Sequence, residues 1–564
     1  MQVSRRDFLK VMGSTSALTL MGCGIGKPKV QKKPNILFIM SDDHAYQAIS
    51  AYDDKLIQTP NIDRLANEGM KFTNACVTNS ICAPSRATIL TGKHCHLHGK
   101  IDNMFPFDDT QTTFPQIFQE NGYTTAMYGK LHFGNNPKGV DDFMILPGQG
   151  NYINPDFITR DGRIRKDGYV SDVITDLTIE WLDNKRDKSK PFMMMYLHKA
   201  PHRPWWPRAD KMAEFVEKTF PEPETLFDDY KNRGRAPKEA EMNLLRHMKY
   251  GHDSKIYPEL QKEMKPKPEV PPFIWGGVDG FSGCFDRATD EQKKLYRPTL
   301  EKINNDFKKN WPTMNDEEKM RWKYQRYMQD YLGCISSVDD NIGRVLNYLD
   351  ESGLAENTIV IYTSDQGFYL GEHGWFDKRF IYDQSFKTPL LVRWPKNTKA
   401  GGVCNEMVQN LDFAQTFLEI ADIEAPKDMQ GESLVSLLQS KTDNWTREAV
   451  YYHYYEYPAV HMVKRHYGIV TTEYKLTHYY YDVDEWELID RKKDPRELNN
   501  VYDDPAYASI VKDLTKKLVE MRKKYGDSKE LDQKYINDFL EERERQKKER
   551  KEKEKKRLKK NKGN

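Results

Sequence analysis

Four short segments of the chain concentrate apolar and β-branched residues at consecutive positions. They occupy residues 35–40, 122–128, 192–197 and 357–363. Such runs are typical of strands that are buried on both faces of a parallel sheet. Helical patterns lie between them, with a capped start at 59–66 and clear periodicity at 327–349. The alternation over the first 420 residues predicts a doubly wound α/β fold, a large and mostly parallel sheet flanked by helices.

The pattern changes after residue 445, where aromatic residues alternate in short segments. These segments lie at 450–455, 467–472, 474–476 and 487–490, and a helical pattern follows at 506–525. Alternation of this kind predicts a small antiparallel sheet that the helix closes. We therefore predict three parts of the folded chain. They are an α/β domain at 34–440, an α+β subdomain at 441–530 and a charged tail at 535–564. A polar, proline-rich segment at about 205–325 predicts an insertion over one edge of the sheet.

The charge of the chain is concentrated in its tail. The whole sequence has a net charge of +2, whereas residues 541–564 carry 13 Lys and Arg against 6 Glu, which leaves the rest at −5. A nucleic-acid-binding domain needs a basic face on its folded body, so this balance argues against a nucleic-acid partner. With almost nothing apolar to bury, the tail is predicted to be solvated or loosely helical.

The N-terminal residues have the features of an export signal. A pair of arginines, Arg5 and Arg6, precedes an apolar run at 11–21 that is shorter than the ~20 residues of a membrane-spanning helix. This pattern resembles a bacterial twin-arginine signal. Residues 20–23 resemble a lipoprotein cleavage site, with Met21 an imperfect match. We therefore expect a signal peptide at 1–23, export to the periplasm or cell envelope, and lipidation of Cys23 as the sole membrane attachment. The alternative is plain cleavage and a soluble exported protein.

The cysteines do not suggest a disulfide framework or a zinc site. The chain has seven cysteines, and none of them forms a C-x-x-C pair. We therefore expect stability to come from burial, with at most one or two disulfide bridges.

Acidic and amide side chains follow two of the predicted buried strands. Asp42 and Asp43 follow the strand at 35–40, and Asp365 and Gln366 follow the strand at 357–363. Open α/β sheets bind their ligands at the carboxyl ends of the strands. A set of oxygen ligands alone suits a hard cation such as calcium.

The segment at 82–92 reads CAPSRATILTG. It resembles the signature C-x-P-S-R-x-x-x-L-T-G of the type I sulfatases, in the alkaline phosphatase-like superfamily, and matches every fixed position. The resemblance implies that a maturation enzyme oxidises Cys82 to formylglycine (3-oxoalanine). Its hydrate would attack sulfur with one oxygen and expel sulfate with the other. In the family a calcium ion lowers the pKa of the attacking hydroxyl. Its ligands would be residue 82 with Asp42, Asp43, Asp365 and Gln366, although many relatives have Asn in place of Gln366.

Further segments resemble sulfatase elements, and together the resemblance covers about residues 34–500. Residues 122–132, GYTTAMYGKLH, resemble G-Y-x-T-x-x-x-G-K-x-H. They imply that Lys130 contacts sulfate and that His132 accepts the proton of the spare diol oxygen. Residues 201–204, PHRP, resemble P-H-x-P and make His202 the acid for the leaving group. Lys378 resembles a later sulfate-binding lysine, so that Arg86, Lys130 and Lys378 would surround one sulfate with positive charge.

These resemblances imply a sulfatase that removes sulfate from a polysaccharide or oligosaccharide, of ulvan-like algal or glycosaminoglycan type. Aromatic residues at 205–206, 275, 454–455 and 479–481 are candidates for stacking on sugar rings, although most such residues pack in a core. Arg203, Arg208, His453 and His461 are candidates for meeting uronates or further sulfates. Two alternatives stay open here: a phosphoester or phosphonate hydrolase on the same fold, and a glycan-binding protein without activity.

Overall fold

The computed structural model describes residues 33–266 and 280–562, in which ten strands form one large sheet. The strand order across the sheet is β10-β2-β9-β8-β1-β7-β3-β4-β5-β6. These strands are β1 (Asn35–Ser41), β2 (Met70–Cys76), β3 (Thr124–Gly129), β4 (Asp142–Ile145), β5 (Asp156–Thr159), β6 (Gly162–Arg165), β7 (Phe192–Leu197), β8 (Thr358–Ser364), β9 (Leu390–Arg393) and β10 (Gly402–Gln409).

The centre of this sheet is parallel. Strand β1 pairs in parallel with β7 and with β8, and β3 pairs in parallel with β7 and with β4. Antiparallel pairs occur where β9 meets β2 and β8, and where β5 meets β4 and β6. The predicted α/β fold with a mostly parallel sheet is therefore confirmed, and the four strands predicted from apolar runs are β1, β3, β7 and β8.

The sheet is covered on both faces, which explains why its central strands are apolar throughout. In β1, Leu37 and Ile39 pack in one hydrophobic core while Ile36 and Phe38 pack in another. All four are fully buried. Burial of a large aliphatic or aromatic side chain stabilises a fold by about 1.5–3 kcal/mol. A polar substitution anywhere in β1 would therefore disrupt one of the two cores.

Helices fill the connections between the strands. The described α-helices are α1 (Pro60–Asn67), α2 (Cys82–Thr91), α3 (Cys95–His98), α4 (Phe114–Glu120), α5 (Val170–Glu180), α6 (Ala209–Phe215), α7 (Arg235–Glu239), α8 (Leu244–His247), α9 (Pro258–Met264), α10 (Gly280–Phe285), α11 (Asp290–Asn310), α12 (Asp316–Glu351), α13 (Asp383–Phe386), α14 (Phe413–Ile420), α15 (Val435–Leu438), α16 (Ala508–Tyr525) and α17 (Lys529–Lys562). Helix α12 packs against α1, α5 and α6. It begins with a capping box, in which Asn315 accepts a hydrogen bond from the backbone of Glu318 at 2.9 Å.

The described part of the segment at 205–325 combines helices with turns and irregular loops. It carries α6–α11 and the start of α12, and no named strand lies in its described part. The segment reaches the connection after β8, where Asn243 forms an isolated antiparallel bridge with Trp375. Its treatment as an insertion, like the division of the chain at residue 440, stays a prediction.

A second, four-stranded antiparallel sheet follows the first. It consists of β11 (Ala449–Tyr454), β12 (His466–Thr471), β13 (Tyr474–Tyr479) and β14 (Glu485–Asp490) in sequence order. Helix α16 packs on this sheet, as predicted, through Leu514 and Leu518. Lys475 joins the sheet to the preceding domain, because its Nζ lies 2.8 Å from Oδ1 of Asp383. The predicted small antiparallel sheet is therefore confirmed.

Some expectations concern residues beyond those described. The signal peptide at 1–23, Cys23 and Trp275 all lie outside the described residues. Within the described part, no helix combines the length and the apolar character needed to cross a membrane.

The six cysteines there are all unpaired and buried, so burial rather than disulfide bonding stabilises this part of the chain.

Candidate active site

Four neighbouring parallel strands bring the predicted site residues to one edge of the sheet. Ser41, the last residue of β1, pairs with Ser364, the last residue of β8. Likewise Gly129 at the end of β3 pairs with Leu197 at the end of β7. Parallel strands in register end together, so the residues that follow them converge at the carboxyl edge. The sequence segments at 42–43, 130–132, 198–202 and 365–366 are thereby placed side by side.

Three buried carboxylates form the centre of this site. Oxygen atoms of Asp42, Asp43 and Asp365 lie within 4.8 Å of one another, and each residue is at most 1% exposed. Asp43 has a φ of 67°, which is rare for a residue with a side chain. Its backbone N–H donates to Oδ1 of Asp365 at 3.1 Å, and its carbonyl accepts a hydrogen bond from Tyr331 at 2.7 Å. These bonds hold the strained turn in place.

The donor set of this cluster fits a hard divalent cation. Oδ1 of Asp42, Oδ2 of Asp43 and Oε1 of Gln366 are buried acceptors without a hydrogen-bond donor. The amide nitrogen of Gln366 donates to Oδ1 of Asp43, which leaves its oxygen as the free ligand atom. Buried oxygens without a donor are costly unless an ion or water satisfies them. Carboxylate and amide oxygens are the ligands that calcium prefers.

Burial and mutual repulsion act differently on the three carboxylates. Burial raises the pKa of Asp43 to about 6 and that of Asp365 to about 7, against the lowering effects of Lys378 and Arg86 respectively. For Asp42, burial also favours the neutral form, but the charge of Lys130 and other nearby cations outweighs it and holds the pKa well below the usual range. A cluster of three carboxylates therefore needs additional positive charge to be fully ionised at neutral pH.

Cys82 begins helix α2 and faces the carboxylate cluster. Its sulfur lies within 4.8 Å of a carboxylate oxygen of Asp42 and of a ring nitrogen of His202. The side chain is fully buried, and this burial raises the pKa of the thiol well above its ordinary value. An unmodified thiol in this position would be protonated and a poor nucleophile.

Arg86 contacts the cluster rather than open space. One turn after Cys82 on α2, its Nε donates to Oδ2 of Asp365 at 2.9 Å, and its guanidinium lies 3.4 Å from Oδ1 of Asp42. Its third contact is the backbone carbonyl of Lys130. The expected part of Arg86 in surrounding a sulfate with positive charge stays a prediction, and in the structure its contacts hold the Asp42 and Asp365 carboxylates and the Lys130 carbonyl.

Two lysines complete the positive surroundings of the site. Nζ of Lys378 lies 2.6 Å from Oδ1 of Asp43, and Nζ of Lys130 pairs with Oδ2 of Asp42. Both side chains are almost fully buried, at 3% and 0% exposure. The charges of both lysines act on Cys82, so they can neutralise an anion that approaches residue 82.

Two histidines face the same region. The ring of His202 contacts the carbonyl of Arg203 through Nδ1 at 2.7 Å, so the carbonyl fixes Nδ1 as the protonated nitrogen. Its Nε2 lies 3.8 Å from Oδ2 of Asp43. Nδ1 of His132 is buried without a hydrogen-bond partner. Burial and the charge of Lys130 hold the pKa of both histidines well below the usual range. Both rings are therefore neutral before an anion enters.

The structure adds site residues that sequence reasoning did not identify. Nζ of Lys130 also donates to Oε1 of Gln149, which lies between two glycines. Those glycines were the one available signal of a tight loop there. Asn410 donates to the hydroxyl of Ser85 at 2.8 Å, and Ser85 in turn donates to the backbone carbonyl of Asp365. These three residues hold the lysine and the metal-ligand segment in position.

Most of the aromatic and charged candidates for sugar binding are buried or form ion pairs within the protein. The rings at 205–206, 454–455 and 479–480 are buried, and Tyr481 is exposed. Arg203 pairs with Asp253 at 2.5 Å, and His453 contacts Asp527 at 2.9 Å. Arg208 pairs with three aspartates, and His461 lies 3.3 Å from Asp377. Packing, which the sequence alone did not reveal, therefore buries most of these rings and pairs the four charged candidates with aspartates.

Comparison with known proteins places this site in a family context. The family described as Sulfatase matches residues 34–423, and the C-terminal part of N-sulphoglucosamine sulphohydrolase matches residues 371–524. The N-acetylglucosamine-6-O-sulfatase of Bacteroides thetaiotaomicron is 45% identical over 518 residues, which cover 91% of this chain and 90% of that protein. The ulvan-active sulfatase of Formosa agariphila is 24% identical over 521 residues, which cover 91% and 86%.

A solved structure shares the fold throughout. It is a protein in complex with its substrate, D-glucosamine-2-N,6-O-disulfate. The two structures superpose with a TM-score of 0.83 at 45% identity, and the match covers 88% of this chain and 99% of that one. The likeness therefore extends over most of this chain.

Proposed function

Because the chain belongs to the sulfatase family and is a sulfuric ester hydrolase, we propose that it removes the 6-O-sulfate of sulfated glucosamine units in glycosaminoglycans or their fragments. The 45% identical relative is named for this position, whereas the ulvan-active relative is 24% identical. The glycosaminoglycan alternative is thereby favoured over the algal one. Sulfatases generally use formylglycine and a divalent metal ion.

The assignment of Cys82 as the precursor of the nucleophile rests on its position in the site. Cys82 is buried, its sulfur lies within 4.8 Å of a carboxylate oxygen of Asp42, and the charges of Lys130 and Lys378 act on it. A thiol with a strongly raised pKa has no use at such a position, whereas a hydrated aldehyde there would meet both a cation site and an anion site. We therefore assign Cys82 as the residue that a maturation enzyme converts to formylglycine.

Four further residues would hold the metal ion. These are Asp42, Asp43, Asp365 and Gln366, which offer oxygen ligands only. One buried oxygen each of Asp42, Asp43 and Gln366 lacks a hydrogen-bond donor. When bound, a calcium ion would lower the pKa of the hydroxyl that attacks sulfur. The formylglycine hydrate would supply that hydroxyl, together with a second oxygen that can expel sulfate.

The two lysines would bind the sulfate group. Lys130 and Lys378 approach the site from different loops, and each now pairs with one carboxylate of the cation site. A cation in that site would compete for the carboxylates and leave the ammonium groups to the sulfate oxygens. Fixed positive charges in a buried site stabilise the charge that develops in the transition state, because they need no reorganisation.

His202 is assigned as the acid that protonates the departing sugar oxygen. Its Nδ1 is tied to a carbonyl, so Nε2 is the nitrogen that faces the site. Burial lowers the pKa of His202, and the negative charge of a bound sulfate ester acts in the opposite direction. A sugar alkoxide is a poor leaving group without a proton, so this step depends on an acid.

His132 is assigned as the base that removes the proton from the spare hydrate oxygen. Its ring is neutral and buried, and one of its nitrogens lacks a hydrogen-bond partner. A neutral imidazole can accept a proton, and the lysines nearby disfavour its cationic form, which promotes later loss of that proton.

We also propose that residues 1–23 direct export to the cell envelope and that Cys23 carries a lipid anchor.

The substrate assignment is tested by the release of sulfate from a panel of defined sugars. The panel contains N-acetylglucosamine 6-sulfate, N-sulfoglucosamine 6-sulfate, their 3-O isomers, a 2-O-sulfated uronate disaccharide and an ulvan oligosaccharide. We expect turnover of the 6-O-sulfated glucosamines alone. Preferred turnover of a uronate or ulvan sulfate would refute the assignment while leaving the sulfatase family intact.

The role of Cys82 is tested by mass analysis and substitution. In active protein the peptide that contains residue 82 is expected to be about 18 Da lighter than with cysteine, as conversion of a thiol to an aldehyde requires. Cys82→Ala is expected to release no sulfate and to remain folded. Cys404→Ala, which changes a buried cysteine on β10, serves as the control with full activity. Full activity with an unmodified thiol at residue 82 would disprove the mechanism.

A further inference from the structure

The last helix begins as part of the folded body. In its first turns Tyr535, Ile536 and Phe539 are buried, at 8%, 5% and 0% exposure. The hydroxyl of Tyr535 donates to the carbonyl of His96 at 2.9 Å, and the guanidinium of Arg465 lies 5.2 Å from the centre of the Phe539 ring. These contacts fix the start of α17 to helix α3 and to the residue that precedes β12.

The remainder of the helix leaves the body. Residues 544–549 and 551–552 are exposed, and the backbone stays helical to residue 562. We call residues 541–562 the basic extension. At a rise of 1.5 Å per residue, its 22 residues span about 33 Å. The extension therefore continues the helix that begins with the buried residues 535–539.

The charge of the basic extension is strongly one-sided. It contains 13 Lys and Arg and 6 Glu, whereas the rest of the chain has a net charge of −5. Its first glutamates pair within the helix, as in Glu542 with Arg545 at 2.7 Å and Glu544 with Lys547 at 2.5 Å. Its last eight residues, 555–562, contain six Lys and Arg and no acidic residue. The positive charge therefore increases toward the far end.

Such a helix is unfavourable without a partner. Residues of like charge that lie three or four positions apart on a helix repel one another by a few tenths of a kcal/mol per pair. In the final eight residues Lys555 and Lys559 form such a pair, as do Lys556 and Lys560. A bound polyanion would relieve this repulsion and stabilise the helix.

Its composition distinguishes between two kinds of anionic partner. Membrane-surface helices need an apolar face that enters the lipid as well as positive charge. Leu558 is the one apolar residue of the basic extension. The extension therefore has charge for an anionic chain but no apolar face for a bilayer.

We propose that the basic extension is a docking surface for the sulfated polysaccharide that the enzyme degrades. This inference rests on the proposed function, because that function supplies a polyanionic substrate. Charge complementarity would raise the local concentration of the chain near an active site on a body of net negative charge. The binding would weaken with salt, since it releases counterions from a polyelectrolyte.

The experiment compares the full chain with a truncation after residue 540 and with a six-site neutral variant. That variant replaces Lys555, Lys556, Arg557, Lys559, Lys560 and Lys562 by Gln. We expect about a tenfold rise in KM for heparin-type polysaccharide and no change in kcat/KM for N-acetylglucosamine 6-sulfate. The slope of log binding constant against log salt concentration should also become shallower.

A matched control removes the same number of charges from the body. It replaces six exposed lysines by Gln: Lys55, Lys188, Lys190, Lys231, Lys308 and Lys492. If docking depends on the extension rather than on net charge, this control retains the KM of the full chain for the polysaccharide. An equal rise in KM for the control would overturn the proposal.

Binding measured without hydrolysis separates this inference from the proposed function. The full chain and the protein truncated after residue 540 are each titrated with heparin-type polysaccharide and with dextran sulfate, which has no glucosamine. Loss of binding to both polymers on truncation supports the docking surface even if the 6-O assignment fails. Equal binding by both proteins, or binding of the full chain to phosphatidylglycerol vesicles in preference to the polymers, would overturn it.

Discussion

Arg86 and Asp365 form a buried pair in which Nε of the arginine lies 2.9 Å from Oδ2 of the carboxylate. The same guanidinium contacts the backbone carbonyl of Lys130. One side chain thus joins the proposed cation site to the loop that carries a proposed sulfate-binding lysine. Because α2 also begins with Cys82, the signature segment positions the nucleophile and its surroundings together.

Replacement of Arg86 by Lys is expected to weaken calcium binding. An ammonium cannot donate in two directions as a guanidinium does, so either Asp365 or the Lys130 carbonyl loses its donor. Loss of a residue that orients metal ligands typically costs about 10–100-fold in metal affinity or activity. Calorimetric titration with calcium measures the affinity, and kcat/KM gives the activity. Arg393→Lys, whose partner is Glu68 at 2.7 Å, is the control. Unchanged calcium affinity in Arg86→Lys would contradict this role.

Removal of calcium is expected to lower the melting temperature of the enzyme. The carboxylates of Asp42, Asp43 and Asp365 lie within 4.8 Å of one another, so loss of the cation removes a positive charge that offsets their mutual repulsion. A ligand at 100 times its Kd stabilises a protein by about 2.7 kcal/mol, equivalent to a few degrees. Calorimetric scans with chelator, with added calcium and with added magnesium measure the change. Restoration by magnesium but not calcium would argue against the proposed ligand set.

The two histidines are expected to respond differently to the leaving group of the substrate. If His202 protonates the sugar oxygen, His202→Ala loses about 10²–10⁴-fold in kcat on a sugar sulfate. The loss is expected to be much smaller on 4-nitrophenyl sulfate, because that leaving group departs without a proton. His132→Ala is expected to affect both substrates alike. Equal losses for His202→Ala on both substrates would show that it is not the acid.

Glu487 is expected to make stability depend on pH. It is 2% exposed, its Oε2 accepts from the hydroxyl of Tyr382 at 3.0 Å, and burial raises its pKa from 4.5 to about 7. Between these values the folded protein binds more protons than the unfolded chain, so its stability falls as the pH rises through this window.

Glu487→Gln removes this penalty. Its free energy of unfolding relative to the wild type is expected to rise between pH 5 and pH 8 by on the order of 2 kcal/mol. Chemical denaturation at the two pH values measures the difference. The exposed Glu356→Gln is expected to show no such trend. A relative stability of Glu487→Gln that is constant with pH would mean that the carboxyl group is charged throughout.

The sequence by itself determined the strands of the central sheet, and it pointed to candidate site residues that the fold places at one edge. Consecutive apolar residues in β1, β3, β7 and β8 are explained by two cores, one on each face of the sheet. Strands in parallel register end at one edge, so motifs that follow different strands converge although hundreds of residues separate them. A short-range pattern therefore predicted a long-range cluster.

Only the tertiary structure decided which polar and aromatic side chains are free to act. Arg86 and Arg203 have the same chemistry in the sequence. In the structure, Arg86 forms a buried ion pair with Asp365, and Arg203 forms one with Asp253. Trp205 and Tyr481 are equally aromatic, yet the first is fully buried and the second is 46% exposed. The partners of these residues come from distant parts of the chain. Packing thus sets their availability, and no local pattern encodes it.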